Sequence, residues 1–253
     1  MSNIKNGELF SNELLKEIKE LFYYVDTDPN IGERLFFGNA GGSFRLKKAV
    51  EQFTKIDAIP DYPGPIHKTA SYLQKVLEDG INDVRTIFNA KDGSVFTSLT
   101  ASQAMFDIIR AIAENISGTN MVTSILEHPS AYDSIEYYAE KLDKELRVAK
   151  SNPVTGGVDV DEIIKLIDKD TCLLSVMYAS NISGAIYDIE NIIKKAREIK
   201  PDLYIIVDAV QHAPHALIDL QKTPADAISF APYKFFGCRG SGIAWLSERV
   251  AEL

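Results

Sequence analysis

Apolar residues in this chain recur at two spacings, one typical of helices and the other of buried strands. Near the N-terminus they recur every three or four positions and predict a helix. Its apolar positions are Leu14, Leu15, Ile18, Leu21 and Phe22. The same spacing predicts a second helix over about residues 69–88. A third begins at Thr100, because Thr-Ala-Ser-Gln fits a capping box in which Thr100 caps the Gln103 amide and Gln103 reaches back.

Continuous apolar runs predict strands that are buried on both faces. The clearest runs cover residues 172–178 and 203–207. Further strands are predicted over residues 94–97, 120–126, 146–149, 227–230 and 242–246. The remaining helices are predicted near residues 130–142, from 159 or 161 to 167, and between Asp188 and Pro201. Since strands alternate with helices, we predict an α/β fold, a three-layer αβα sandwich around a mainly parallel sheet.

Composition and charge exclude several classes of protein. Of the 253 residues, 45% are apolar and 25% are charged, as in ordinary soluble globular proteins. The chain has 36 acidic residues against 27 Lys and Arg, a net charge of −9, and no basic block, so we predict no nucleic-acid partner. No stretch reaches the roughly 18 apolar residues of a membrane span, and the N-terminus lacks the apolar part of a signal peptide. We therefore predict no membrane association.

The cysteines and histidines argue against a metal centre. Cys172 and Cys238 lie far apart and in no Cys-x-x-Cys pair, which disfavours a disulfide scaffold or zinc site and indicates a reducing, cytoplasmic location. His212 and His215 are three residues apart, but no third ligand has a recognisable spacing. A nicotinamide-dependent Rossmann enzyme is also disfavoured, because no Gly-x-Gly-x-x-Gly follows an early strand.

Polar residues that follow predicted strands are the candidate site residues, because parallel sheets bind ligands at the carboxyl ends of their strands. They are Thr100, His128, Asn181, Asp208, Gln211 and Lys234. Each also has a plain structural interpretation: a helix cap, a solvated ring, a residue that ends a strand, or a surface charge. Taken singly, none of them identifies a function.

Four of these residues have complementary chemistry. The helix that begins at Thr100 offers backbone N–H groups to an anion, and His128 offers a flat ring for stacking. Asp208 can hold a protonated heterocyclic nitrogen, and Lys234, bracketed by aromatic and apolar residues, becomes a nucleophilic amine if burial lowers its pKa. Pyridoxal phosphate needs this set for its phosphate, ring, pyridine nitrogen and aldehyde. We therefore predict pyridoxal 5′-phosphate as the cofactor.

One continuous segment links these residues to a known family. Residues 207–219 contain Asp-x-x-Gln, then Pro-His and Ile-Asp, and residues 226–242 follow with Lys234. On these motifs, the chain from about Phe36 to its end resembles the class V aminotransferases of the fold-type-I pyridoxal-phosphate enzymes, especially the cysteine desulfurase branch. The resemblance implies an N-terminal helical segment over residues 1–35 and a cofactor-binding large domain over residues 36–253.

The resemblance implies a role for each residue of the constellation. Lys234 resembles the lysine that forms the Schiff base with the cofactor, and Asp208 resembles the partner of the pyridine nitrogen. His128 resembles the residue that stacks on the ring, and with Lys234 it is a candidate catalytic residue. Asn181 and Gln211 resemble the residues that face the phenolic oxygen of the cofactor.

The resemblance also implies where the phosphate and the substrate bind. Thr100, Ala101 and Ser102 resemble the phosphate cradle, to which Tyr233 is expected to add a contact. The glycine-rich loop that contains Ala40 and Gly41 is similar to the family's loop beside the substrate.

Two departures from the family pattern stand out. Ala231-Pro232-Tyr233-Lys234 replaces the usual Ser-x-His-Lys of the desulfurases, which removes one phosphate hydroxyl and the histidine of the usual proton relay. Family members also continue into a smaller C-terminal domain that supplies an arginine for the substrate carboxylate and a loop with the persulfide cysteine. We expect this chain to lack that domain, and Cys238 does not occupy the position of that cysteine.

The resemblance implies a pyridoxal-phosphate-dependent transferase or lyase that acts on an amino acid. Cysteine desulfurase chemistry, with cleavage of a carbon–sulfur bond in a cytoplasmic homodimer, is the expected activity. An aminotransferase, an epimerase or a kynureninase-like lyase of the same family are alternatives. A truncated, non-catalytic chain that keeps the fold and binds a partner is an alternative from another class.

Overall fold

The computed structural model describes residues 10–253 of the chain. They form two units. The smaller consists of the described residues up to Tyr62 together with Pro232–Arg239, and the larger consists of Pro63–Ala231 and Gly240–Leu253. This division does not decide the domain boundary predicted at residue 36, which stays a prediction.

The smaller unit contains two helices and a short hairpin. Helix α1 (Asn12–Glu20) begins at Ser11, whose hydroxyl accepts a hydrogen bond from the Leu14 N–H, and it confirms the predicted N-terminal helix. Strands β1 (Thr27–Asp28) and β2 (Gly32–Glu33) pair antiparallel. Helix α2 (Lys47–Asp57) was not predicted, and it has neither a buried residue nor a side-chain cap. The unit is completed by a single 3₁₀ turn, Pro232–Lys234.

Helices and strands alternate along the larger unit. The helices are α3 (Lys68–Ile87), α4 (Ala101–Asn115), α5 (Pro129–Lys141), α6 (Val160–Ile164), α7 (Ile189–Ile199) and α8 (Glu248–Ala251). The strands are β3 (Ser94–Ser98), β4 (Asn120–Ser124), β5 (Glu145–Ala149), β6 (Thr171–Met177), β7 (Tyr204–Asp208), β8 (Ala227–Phe230) and β9 (Gly242–Leu246). Every strand predicted from the sequence is present. Among residues 10–253, no helix is both long enough and apolar enough to traverse a lipid bilayer.

The seven strands of the larger unit form one sheet in the order β3-β9-β8-β7-β6-β4-β5. Strand β9 runs antiparallel to both of its neighbours, and the other adjacent pairs are parallel. The predicted α/β fold with a mainly parallel sheet is therefore confirmed. Because β9 is antiparallel both to β3 and to β8, β3 points the same way as the parallel strands.

The core lies on both faces of the sheet. Within β6, Leu173 packs into one apolar cluster and Leu174 into the other, and Ile205 and Ile206 of β7 alternate in the same way. This two-sided burial explains why the central strands read as continuous apolar runs. The register of the sheet aligns the carboxyl ends of these strands, since Met177 at the end of β6 pairs with Asp208 at the end of β7.

Two predicted elements are shorter than expected. Strand β4 ends at Ser124 rather than at residue 126, because the chain turns there and the Glu127 N–H points back to the Ser124 carbonyl. Helix α6 ends at Ile164 rather than at residue 167, since the last turn tightens and the Ile167 N–H bonds to the Ile164 carbonyl.

Candidate functional site

The first candidate region is the start of α4, directly after β3. Thr100 is the N-cap, and its hydroxyl accepts a hydrogen bond from the Gln103 N–H at 3.0 Å, which confirms the Thr100 half of the predicted capping box. Within residues 10–253 the Gln103 side chain makes no return hydrogen bond to Thr100, so the second half of the box is not formed. Ala101 and Ser102 form the first turn, where backbone N–H groups have no acceptor within the helix. The start of α4 can therefore bind an anion such as a phosphate.

Gly242 brings β9 against this helix start. A Cβ added at Gly242 would overlap the backbone of Thr100 and Ala101. Only glycine permits this approach, so the first turn of α4 is braced from one side by the main chain of β9. At this point the two backbones meet without a side chain between them.

His128 follows β4 and caps helix α5. Its Nδ1 accepts a hydrogen bond from the Ser130 N–H at 3.1 Å and lies 2.8 Å from the Ser130 hydroxyl. An Nδ1 that accepts from an amide carries no hydrogen, so the neutral ring has its proton on Nε2. These contacts fix the plane of the imidazole, as a ring that stacks on a flat ligand requires.

Asp208 ends β7 and is 7% exposed. Its Oδ1 accepts a hydrogen bond from the Val210 N–H at 2.9 Å, and its carbonyl accepts from the Tyr178 N–H at 2.8 Å. Side chain and main chain are thus both held, which gives the carboxylate a defined orientation at the end of the strand.

Asn181 and Gln211 lie in the loops that follow β6 and β7. The Asn181 loop is ordered by Ser180, whose hydroxyl accepts hydrogen bonds from the N–H groups of Ile182 and Ser183. Together with Thr100, His128 and Asp208, these residues lie at or just after the carboxyl ends of β3, β4, β6 and β7 at one edge of the sheet. The structure therefore brings the predicted residues of the larger unit to the edge where α/β sheets bind ligands.

Lys234 belongs to the smaller unit, where it ends the 3₁₀ turn and is 8% exposed. The preceding carbonyl, that of Tyr233, accepts hydrogen bonds from the Ser43 N–H, the Ser43 hydroxyl and the Arg45 guanidinium at 3.2, 3.0 and 2.8 Å. The Lys234 Nζ lies 5.9 Å from the Tyr233 ring centroid. The lysine is therefore held by the segment that follows the glycine-rich loop.

The loop that contains Ala40 and Gly41 is folded by main-chain bonds from Gly41 to Gly38 and from Gly42 to Asn39. Gly41 lines a cleft of about 780 Å³ in the smaller unit. Three arginines, which the sequence pattern did not single out, line the same cleft: Arg34, Arg45 and Arg239. Arg34 is paired with Asp28 at 3.0 Å, and guanidinium groups such as those of Arg45 and Arg239 are suited to binding carboxylates.

The histidines considered as metal ligands have other surroundings. The His212 ring stacks on Tyr178 with centroids 4.5 Å apart, and burial lowers the pKa of His212. Within residues 10–253, no group of three or more His, Cys, Asp or Glu side chains is arranged to hold a metal ion.

Glu127, directly before His128, is a buried acid that the sequence pattern did not single out as a site residue. It is 6% exposed, and burial, with the nearby Asp208 adding to it, raises its pKa to about 8. A carboxyl in such surroundings is a common mark of a functional site. The only signal in the sequence was its place directly after a strand.

The family model for class V aminotransferases matches residues 45–253. The chain is 28% identical over 190 residues to the cysteine desulfurase IscS of Dictyoglomus turgidum, covering 74% of this chain and 47% of that protein. It is also 28% identical over 231 residues to a probable cysteine desulfurase of Borreliella burgdorferi, covering 86% of this chain and 52% of that protein. The chain thus spans about half the length of these curated relatives.

Solved structures share the fold. A NifS-like protein superposes with a TM-score of 0.79 at 23% identity, over 85% of this chain and 59% of that one. The cysteine desulfurase CsdA of Escherichia coli superposes with a TM-score of 0.78 at 19% identity, over 93% of this chain and 58% of that one.

Proposed function

The chain belongs to the class V aminotransferase family, and we propose that it binds pyridoxal phosphate and acts on an amino acid with cysteine desulfurase-like chemistry. One observation carries the proposal. Thr100 and His128 follow, and Asp208 ends, three strands that point the same way. A helix start, an oriented flat ring and a buried carboxylate suit the phosphate, ring and pyridine nitrogen of this cofactor.

The fit is supported by the shape of the phosphate cradle. Gly242 leaves the first turn of α4 without a covering side chain, and Ala101 and Ser102 lie in that turn. A dianionic phosphate would receive hydrogen bonds from N–H groups that the helix does not use. The Thr100 hydroxyl already caps the helix, so the backbone is the main donor in this assignment, and Tyr233 adds its hydroxyl.

Bound pyridoxal phosphate supplies an electrophilic aldehyde and an electron-withdrawing ring. Asp208 would accept a hydrogen bond from the pyridine nitrogen and keep the proton there, while His128 would cover one face of the ring. Asn181 and Gln211 would hydrogen-bond to the phenolic oxygen. Lys234 would provide the amine that attaches the cofactor and then take the proton from the substrate α-carbon.

The substrate would be an amino acid bordered by Ala40 and Gly41, with a carbon–sulfur bond cleaved after removal of the α-proton. A lyase or aminotransferase of the same family is the second candidate, because Tyr233 stands where the desulfurases carry the histidine of their proton relay. We further propose a homodimer, which the resemblance to the family implies, in the cytoplasm, which the two unpaired cysteines favour.

The reaction is tested by incubating the purified chain with pyridoxal phosphate, cysteine and a thiol reductant. We expect alanine and sulfide in equal amounts, and neither product from Lys234→Ala. Lys222→Ala is the matched control, because Lys222 is an exposed lysine. Alanine and sulfide formed by the Lys234→Ala variant, or cysteine consumed by the wild type without formation of alanine, would contradict the desulfurase assignment.

A further inference from the structure

Glu127 joins the ends of two strands of the sheet. Its Oε1 accepts a hydrogen bond from the Ser124 hydroxyl at 2.6 Å, at the end of β4, and from the Met177 N–H at 3.2 Å, at the end of β6. The Tyr187 hydroxyl lies 3.1 Å from the Ser124 oxygen. Since Ser124 gives its single hydrogen to Glu127, Tyr187 donates to Ser124. One oxygen of Glu127 therefore receives a complete set of donors.

The other oxygen of Glu127 is in a different situation. Oε2 is buried and has no hydrogen-bond partner within residues 10–253, and no cation of that part of the chain pairs with the carboxyl. The titratable groups that face it are Asp208 on β7 and Tyr187 before α7. Each of these is neutral or negative, so neither offsets the cost of burying a charge at Glu127.

The Glu127 contacts lead directly to Asp208. Met177, whose N–H bonds to Glu127, is the register partner of Asp208 across β6 and β7. Tyr178, the next residue, donates its N–H to the Asp208 carbonyl at 2.8 Å. A change in the Glu127 carboxyl would therefore move the strand end that holds Asp208.

We propose that Glu127 is a positioning residue, a neutral carboxylic acid that fixes the end of β6 beside Asp208 without opposing the Asp208 charge. The role rests on the proposed function only in that Asp208 would serve the cofactor. Glu127 keeps its proton while its Oε1 accepts from Ser124 and Met177. A second carboxylate at this place would be a buried, unpaired charge beside that of Asp208, and like charges in such surroundings repel each other.

The first test uses the chain without cofactor. The pKa of Glu127 is raised from 4.5 to about 8, so between these values the folded chain holds a proton that the unfolded chain lacks. Stability therefore falls as pH rises through this window. Glu127→Gln removes this pH dependence, because the amide does not titrate, and it keeps a neutral side chain whose oxygen accepts hydrogen bonds. The unfolding constant of the wild type, divided by that of this variant, should therefore rise about tenfold per pH unit.

Urea unfolding at pH 5.5, 6.5 and 7.5 measures this difference. Glu136→Gln, a change at an exposed glutamate of α5, serves as the control and should follow the wild type at every pH. The proposal would be overturned if the ratio of the wild-type unfolding constant to that of Glu127→Gln were the same at all three pH values.

The second test measures pyridoxal phosphate affinity at pH 7. Glu127→Gln should bind within about twofold of the wild type, whereas Glu127→Ala, which removes the acceptor of Met177, should bind roughly tenfold more weakly. Equal losses in the two variants would show that the carboxyl group itself is needed and would reject the neutral role. A wild type that binds no pyridoxal phosphate would reject the proposed function, and the unfolding ratios would still decide the role of Glu127.

Discussion

Asp208, the last residue of β7, lies opposite Met177, the last residue of β6, in the register of the sheet. The Val210 N–H holds its Oδ1 at 2.9 Å, so the carboxylate is oriented by its own turn before any ligand arrives. A group that is already oriented loses little entropy when it binds. The end of β7 thus presents an oriented carboxylate, the group that the proposed function assigns to the protonated ring nitrogen.

Asp208→Asn should reduce turnover while the fold is retained. The amide keeps the size of the side chain but cannot stabilise a proton on the cofactor ring, and loss of such an electrostatic partner costs on the order of 10²–10³-fold in rate. Steady-state kinetics with saturating pyridoxal phosphate measure the loss. Asp202→Asn, at a largely exposed aspartate, is the control and should leave kcat unchanged.

Thr100→Ala should weaken both the helix and the phosphate site. The Thr100 hydroxyl caps α4 through the Gln103 N–H, and loss of such a cap costs about 1 kcal/mol of unfolding free energy. Urea unfolding checks the stability, and titration of pyridoxal phosphate checks the affinity. Thr100→Ser keeps the hydroxyl and should restore both; a serine variant as weak as the alanine variant would contradict the capping role.

Gly242→Ala should destabilise the chain, because the added Cβ would overlap the backbone at the start of α4. Such overpacking costs roughly 1–3 kcal/mol. Gly80→Ala is the matched control, and it should raise stability rather than lower it. Gly80 lies inside α3 with nothing within 4 Å of an added Cβ, and alanine is there favoured by about 0.5–1 kcal/mol. Denaturation midpoints that move in the same direction for both variants would contradict the close approach of β9.

Asp226→Ala should cost stability without affecting the cofactor. Asp226 lies before β8, is 3% exposed, and accepts hydrogen bonds from Arg249 Nε and Nη2 at 2.6 Å and from Arg197 Nη2 at 3.1 Å. Removing one partner of a buried ion pair costs about 3–5 kcal/mol.

The control for this change is Asp79→Ala. Asp79 pairs with Lys75 on the exposed surface of α3, where an ion pair contributes little to stability. Chemical denaturation measures both variants, and pyridoxal phosphate titration should show unchanged affinity in each. An Asp226→Ala variant as stable as the wild type would show that the buried pair contributes nothing.

The strands were predictable because a strand buried on both faces is a continuous run of apolar residues in the sequence. β8 and β9 begin and end where the apolar runs do, at Ala227–Phe230 and Gly242–Leu246. Helix α2 could not be recognised in this way, since none of its residues is buried and Leu46 at its N-cap makes no side-chain cap. The hairpin of β1 and β2 has strands of two residues each, too short to show a period.

The places of candidate residues in the fold were predictable where a residue ends or follows a strand, as Asp208, Thr100 and His128 do. The state of Glu127 was not, because a buried acid and a surface glutamate look alike until the fold buries one of them. The placement of Lys234 depends on hydrogen bonds between Ser43 and Tyr233, far apart in sequence. Local sequence patterns do not indicate such long-range hydrogen bonds.

The most direct test of the cofactor assignment is borohydride reduction of the chain mixed with pyridoxal phosphate, followed by peptide mass spectrometry. We expect a visible absorption band before reduction and one pyridoxyl group per chain afterwards, on Lys234. The band and the label should be present in Lys222→Ala and absent in Lys234→Ala. A label spread over surface lysines, or a band unchanged in Lys234→Ala, would contradict the claim that this chain is a pyridoxal-phosphate protein with Lys234 as its attachment residue.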